Sequence, residues 1–368
     1  MRKTLSRVLR DDWLLLTLAV AAILLLALRP QPPLAVARLI DWQTIAALAG
    51  LLMLTKGIES SGALQALARR VLERVTRLRA LALMLTALAA ALSAVVTNDV
   101  CLFLLVPLTR ALAQQAELPL ARIVALEALA VNAGSALTPI GNPQNLFLWQ
   151  FSHMGFGEFV VMMLPAVAIM LALLLPVAWF ALPDATVSLR GGEPQTPPQK
   201  RLLWTSAGLF APFVLALNFG LLWPALAIVA LVFVIAHRRV LGQVDWSLLP
   251  IIALMFVDMR LLASLPAVAA WLASLPIASG LNGYLAALLS SQLVSNVPAA
   301  ILLAPLVHDL PALAAGVSVG GFGLFIGSLA NLIALRLSGA PGGMRVLHAF
   351  SLPFLLICGA AVAALQLL

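Results

Sequence analysis

The sequence predicts an all-α, polytopic membrane protein made of two inverted repeats, each with a re-entrant helical hairpin and a broken transmembrane helix. Three observations lead there: the composition, a recurrence of short polar motifs between the two halves, and a one-sided distribution of cations. Hydrophobic types make up 63% of the 368 residues and charged types 10%, against about 45–50% and about 25% in a soluble domain. A span of about 20 apolar residues crosses a bilayer core, so the chain has room for about ten crossings. Lys+Arg number 22 and Asp+Glu 14, a formal net charge of +8. In a soluble chain that excess points to nucleic acid, but here the placement of the cations decides their meaning. Cys101 and Cys358 lie inside apolar runs and have no spacing suited to zinc or a disulfide framework.

In chain order, Trp13 to Leu28 comes first. It is longer than a secretory h-region and is followed by Arg29 to Pro33, not by a small-residue cleavage site, so residues 1–40 are expected to hold a retained first transmembrane helix. Apolar segments then fall near 43–58, 80–109, 123–150, 158–182, 202–217, 221–236, 246–262, 281–307, 312–335 and 347–367, and none alternates as a strand does. The polar, Pro-rich stretch Asp184 to Arg201 reads as a cytoplasmic linker at 184–201. It parts a first repeat at 41–183 from residues 202–368, which hold the second repeat and the helices before it.

The halves share motifs in a constant order. Asp41-Trp42 and Lys56 recur as Asp245-Trp246 and Arg260, all at one common offset. Ser93 to Asn98 (SAVVTN) recurs as Ser291 to Asn296 (SQLVSN), and Pro107-Leu108 as Pro305-Leu306, at a slightly smaller shared offset. Ile140-Gly141 and Asn145-Leu146 recur as Ile326-Gly327 and Asn331-Leu332, at an offset smaller again. The offset shrinks only between apolar segments, as duplication with loop shortening predicts. With the N-terminus cytoplasmic, 18 of the 22 cations fall on the inner side, only Arg29 and Arg38 lie outside, and Lys56 and Arg260 sit within segments. That bias is a positive-inside signal, and it accounts for the basic composition without nucleic acid. The same count runs segment 43–58 outward-to-inward and 246–262 the other way, so the repeats are inverted, as in many secondary transporters.

Four places interrupt apolar runs: Thr97-Asn98-Asp99, Thr138 to Pro143, Ser295 to Pro298, and Gly320 to Ser328. Unpaired backbone groups cost several kcal/mol in hydrocarbon, so such breaks persist only inside protein or against a wet cavity. Asn98 or Asp99, Asn142, Asn296 and Ser328 suit N-caps of the resumed helices, with Pro143 favoured at a first helical position. Helix N-termini aimed inward attract an anion or a polar oxygen-bearing solute. Asp99 is a carboxylate at mid-bilayer, expensive by about 3 kcal/mol or more, and such residues mark proton or ion routes. Its match is Val297, so any coupling site there is asymmetric; a hairpin of two full crossings with Asp99 in an external turn is the competing reading. Lys56 with Glu59, and Asp258 with Arg260, stand near segment ends and read as either snorkelling, locally paired charges or gates. Glu127 reads as a paired or proton-relaying carboxylate. His153, His237, His308 and His348 fall near segment ends and are assigned no metal.

TND with a downstream VPL, TPIGNPQNL, and SNVP followed by APL together resemble the ion transporter superfamily. That group holds arsenite-efflux permeases, divalent anion:sodium symporters for citrate and dicarboxylates, and sodium/proton antiporters. The resemblance runs from about residue 41 onward and implies opposed hairpins and a homodimer. In the dicarboxylate branch the tips carry Ser-Asn-Thr, which would correspond to Thr97-Asn98 and Ser295-Asn296; Asp99 and Val297 depart from it. The Asn-Asp tip looks more like the arsenite branch, where proton exchange drives export. Gly141 to Asn145 resembles the substrate-facing broken helix, and Gly327 to Asn331 lacks its proline.

The expectation is an inner-membrane secondary transporter, not an enzyme, moving a small anion or oxyanion (carboxylate or arsenite-like) by alternating access. No cofactor is expected; the coupling ion is a proton ahead of sodium. Thr97, Asn98, Asp99, Gly141, Asn142, Asn145, Ser295, Asn296, Gly327, Ser328 and Asn331 are the expected substrate or ion contacts, with Asp99 exchanging the proton. The alternatives are a sodium/proton antiporter, a sodium-coupled dicarboxylate symporter, a channel, or an intramembrane enzyme, for which no HExxH or GxSxG is present.

Overall fold

The computed structural model describes residues 13–63, 66, 75, 77–116, 118–186 and 198–367. The inner-side cations Arg2, Lys3, Arg7, Arg10, Arg69, Arg70, Arg74 and Arg190, and most of the 184–201 linker, lie outside the described residues.

Among these residues the regular structure is helical. The helices are α1 (Trp13–Leu28), α2 (Pro33–Arg38), α3 (Trp42–Ser60), α4 (Leu78–Ser93), α5 (Asn98–Ala116), α6 (Leu120–Ser135), α7 (Pro143–Ser152), α8 (Phe156–Phe180) and α9 (Lys200–Asn218). After them come α10 (Leu222–Ala236), α11 (Arg238–Leu241), α12 (Leu248–Ser264), α13 (Pro266–Ser274), α14 (Gly280–Val294), α15 (Asn296–Leu303), α16 (Leu310–Val319), α17 (Leu329–Ser338) and α18 (Gly343–Leu365). The first helix ends at Leu28, where its apolar run predicts.

Among the described residues only α8, α9 and α18 are long and apolar enough to cross a membrane alone, and α12 with α13 joins them as a pair bent by 80°. This falls short of ten uninterrupted crossings: the breaks read above cut part of the remaining apolar sequence into shorter helices such as α4, α16 and α17, and α10, which borders no break, is itself 15 residues long. The outside of the bundle is greasy: Phe180, Trp204, Ile235, Leu293 and Leu356 are all exposed. The inside holds Asn98, Asp99, Glu127, Asn132, Asn145, Asn296 and Asn331, all buried. An apolar outside around a polar inside is the pattern a bilayer solvent selects.

The sequence offsets set α3, α4, α5, α6, α7 and α8 against α12, α14, α15, α16, α17 and α18 in chain order. Helices α5 and α15 open on the matched Asn98 and Asn296, and α7 and α17 open on Pro143 and its match Leu329, so the helix starts keep the motif offsets. Within each half the first hairpin arm lies along the first broken-helix segment, α4 on α6 and α14 on α16. Between halves the packing is crossed. The second arm α5 lies on α17, and α15 lies on α7.

The caps differ in one detail from expectation. Asn98 and Asn296 open their helices at the first helical position, because Thr97 O and Ser295 O already accept the first intrahelical bonds, from Cys101 N and Ala299 N, both at 3.0 Å. Ser295 has φ 76° and ψ 156°. That region is comfortable only for glycine and costs a serine about 1–3 kcal/mol.

Close helix approach explains two glycines. A Cβ on Gly134 of α6 would stand 2.1 Å from Ala90 O of α4, and one on Gly320, its match, 2.9 Å from Leu288 O of α14 and 2.5 Å from the Ser291 Cβ. Gly134→Val should therefore cost more than the about 1–3 kcal/mol of ordinary overpacking, since backbone is the obstacle. Gly208→Val, where nothing lies within 4 Å, is the control. Thermal unfolding of the detergent-solubilised variants should show a large drop for the first and almost none for the second.

Candidate functional site

Each half breaks a helix in the middle, and asparagines close the gap. Between α6 and α7, Asn142 Oδ1 caps α7 by accepting from Asn145 N at 2.8 Å, and the Asn142 amide donates to Ser135 Oγ at 3.1 Å. Asn145 Nδ2 donates to three loop carbonyls: Ser135 O at 3.4 Å, Ala136 O at 3.0 Å and Thr138 O at 3.1 Å. In the second half Ser328 caps α17, accepting from Ala330 N at 3.3 Å, and Asn331 Nδ2 donates to Gly321 O at 2.9 Å and Leu324 O at 3.4 Å. Asn331, Gly321 and Leu324 are the repeat matches of Asn145, Ser135 and Thr138, so matched side chains stitch matched carbonyls. Orphan carbonyls at a helix end inside a bundle have no water to turn to, and these amides supply the donors.

The hairpin ends are tied to the same loops. Asn98 N donates to Gly141 O at 2.8 Å, and Thr138 Oγ1 donates to Ala94 O at 2.7 Å. In the second half Leu324 N donates to Gln292 Oε1 at 2.9 Å, and the Gln292 amide donates to Phe322 O at 2.9 Å. Thus Thr97, Asn98 and Gly141 form one buried cluster at the first tip. Ser295 and Asn296 form the second tip, where Ser295 Oγ donates to Asn296 Oδ1 at 3.5 Å.

One side chain bridges the halves. Asn132, near the end of α6, donates through Nδ2 to Asn331 Oδ1 at 2.9 Å and to Gly321 O at 3.4 Å, and its Oδ1 accepts from Ser328 Oγ at 2.9 Å. The position matching Asn132 is Ser318, whose hydroxyl has no hydrogen-bond partner; Asn145 Oδ1, the match of Asn331 Oδ1, has none either, nor do Thr97 Oγ1 and Gln144 Oε1. The bridge is thus made toward the second-half loop, while these unpaired buried oxygens belong to α7, α16 and the first tip. Asn132 was not among the expected residues; an amide closing the mostly apolar run from Ile123 is the signal that marked it.

A cavity of about 460 Å³ opens beside the first tip. Asp99, Val100 and Phe103 of α5, Leu52, Lys56 and Glu59 of α3, and Leu329, Leu332, Ile333 and Arg336 of α17 line it, with Gln243, Asp245 and Ile251 closing one side. Of the expected contacts only Asp99 reaches this wall, at 7% exposure. Gly327, Ser328 and Asn331 are not on the lining; Ser328 and Asn331 are engaged with their own loop and with Asn132. Lys56 and Glu59 pair at 2.8 Å, so the locally paired reading holds for them, but on the cavity wall. Arg260, the match of Lys56, donates to Leu39 O at 2.8 Å and lies over the Phe256 ring at 5.2 Å. Asp245, Arg336 and Gln243 were not recognised as site residues; in sequence they sit among segment-end polar residues. Asp245 accepts from Ser247 Oγ at 2.6 Å and Gln243 Oε1 from Ser60 Oγ at 3.1 Å. Glu127, away from the cavity lining, accepts from Thr109 Oγ1 at 2.5 Å.

Chemically, the cavity is a mostly apolar-walled vestibule whose charged lining residues are Lys56, Glu59, Asp99, Asp245 and Arg336. Among the described residues no three His, Cys, Asp or Glu side chains gather as a metal set.

Known proteins share this chain's sequence. The Escherichia coli (strain K12) inner membrane protein YbiR is 44% identical over 319 residues, 86% of this chain and 85% of that one. An uncharacterized transporter of Methanocaldococcus jannaschii is 32% identical over 339 residues, 91% and 92% of the two chains. A rice silicon efflux transporter is 40% identical over 74 residues, 20% of this chain and 15% of its own. A family model described as citrate transporter matches residues 5–318, and with relatives of this coverage the chain belongs to the citrate transporter family, membrane carriers and not enzymes.

Proposed function

We propose that this protein is a proton-coupled secondary transporter of the inner membrane that moves a small anion or oxyanion by alternating access between two inverted repeats. The observation that carries the reading is Asp99, a buried carboxyl group at the first residues of α5, on the cavity lining and next to Asn98, which is tied to the stitched loop of the first half. In the orientation favoured by the cation bias, the cavity walls from α3, α5 and α17 belong to the cytoplasmic half, so this conformation is inward-open. The solute enters past Lys56, Glu59, Asp245 and Arg336 and meets the α5 N-terminus, whose free amides attract an oxygen-bearing solute. Asp99 then takes a proton from the vestibule or gives one to it. The crossed packing of α5 on α17 and α15 on α7 links the two tips, so opening one side tightens the other.

The unpaired oxygens of Thr97, Gln144, Asn145 and Ser318 support a polar ligand near the first tip, since buried polar atoms otherwise find partners. Citrate is suggested by the family's description, and silicon by the rice relative's name. A second reading, cation/proton antiport, draws support from Asp99 and Asp245 lining one vestibule.

Proteoliposomes with an imposed pH gradient test the proposal, with citrate, arsenite and silicic acid as probes. Gradient-driven accumulation of one of them is expected, and Asp99→Asn should abolish the driven component while leaving solute exchange at equal pH. Undiminished driven flux in Asp99→Asn overturns its role; sodium flux against protons without any solute selects the second reading. Asn132→Leu should strand Asn331 Oδ1 and the Ser328 hydroxyl, costing about 1–3 kcal/mol for each buried group left unpaired. Its melting temperature in detergent should fall by several degrees, whereas Ser318→Ala, which removes an oxygen without a partner, should leave it almost unchanged.

A further inference from the structure

Asp258 of α12 is 1% exposed, and neither of its carboxylate oxygens has a hydrogen-bond partner. Helix α12 presents Leu248 and Ile251 to the vestibule. Asp258 lies two turns beyond Ile251 along the same helix face, about 10 Å farther from the vestibule. Among the described residues no cation pairs with it. Arg260, on the same helix, is engaged with Leu39 O and the Phe256 ring, and Arg29 donates to Ser264 O at the helix end.

The elements against α12 include α1, α3, α13 and α15, with Phe147 of α7 edge-on to Phe256 at 5.2 Å, and Val36 of α2, Leu39 and Ile40 pack about Val257 and Leu261; α2 brings one cation, Arg38, which makes no hydrogen bond to Asp258. Helices α1, α7, α13 and α15 carry no ionisable side chain. Helix α3 brings Lys56 and Glu59, bonded to each other on the vestibule wall, and its N-cap Asp41, which accepts from Thr44 N at 3.0 Å. An ionised carboxylate so enclosed meets neither donor nor counter-charge, and burying it that way costs far more than burying the acid.

We propose that Asp258 is a second proton-binding residue of the carrier, held as the neutral acid in this conformation and exchanging its proton when the second half of the bundle opens. This rests on the carrier reading above. The balance is simple: the acid O–H gives its proton to water on the opening side and leaves a carboxylate, and the reverse step reloads it. Its first-half match, at the offset that relates Lys56 to Arg260, is Leu54. Asp99 and Asp258 are therefore one buried helix carboxyl from each half, not copies of one another.

Infrared spectroscopy of the full chain in lipid, with no solute added, reads the proton directly. At neutral pH the wild-type minus Asp258→Asn difference spectrum is expected to show a carboxylic-acid C=O band equivalent to one group, and the same difference is expected in the Asp99→Asn background, so that buried Asp99 and Glu127 cancel. Should Asp258→Asn fold poorly, carboxyl-¹³C aspartate in the Asp99→Asn protein shifts the same band without touching Asp258. Titration to alkaline pH should remove the band reversibly while the amide bands stay folded. Loss of carboxylate intensity instead of acid intensity in Asp258→Asn overturns the proposal, as does an Asp258 difference band that survives the whole titration. Failure to find a transported solute would sink the carrier reading while leaving this spectrum readable.

Discussion

The structure depends on one constraint: backbone N–H and C=O groups placed inside hydrocarbon have no water to bond. A membrane chain that breaks its helices inside its bundle must bring its own donors and acceptors to the breaks. This one does so with asparagine. Asn145 spans the Ser135, Ala136 and Thr138 carbonyls, and Asn331 spans those of Gly321 and Leu324. Because an amide can donate and accept at once, the same residue type can cap, stitch and bridge. That is why asparagines, few in such an apolar chain, collect here.

The stitching ties each break to its own loop through several hydrogen bonds. Asn132 adds a link between halves that its counterpart Ser318 is too short to copy. The symmetry of the backbone is thus kept while the polar chemistry is not. Strain is also unevenly placed: Ser295 holds a glycine-like conformation at the second tip, whereas Thr97 at the first tip does not. These differences between otherwise matched halves fall where binding is proposed.

The vestibule follows from the same architecture. Half-helices that end inside the bundle leave space beyond their tips, and α3, α5, α12 and α17 wall that space with leucine, isoleucine and phenylalanine. Charges at its rim neutralise one another locally, as Lys56 with Glu59. Asp99 lines the same space as a buried carboxyl group at the start of α5.

What the sequence determined by itself was local and periodic. Apolar runs defined where α1 ends and the positions of the helices, and Asn, Gly and Pro inside those runs marked all four breaks, because a helix breaker acts on its own few residues. The repeat was equally legible, since the matched spacings at Asn98/Asn296 and Asn145/Asn331 are differences between residue numbers. Tertiary structure alone decided what each polar side chain faces. Asn145 and Asn331, expected at the solute, turn to their own loops, while Asp245, Gln243 and Arg336 come to the cavity wall beside Asp99 from the other half of the chain. Which way an amide points is settled by the nearest unpaired carbonyl in three dimensions, and that carbonyl's position is a property of packing, not of spacing along the chain.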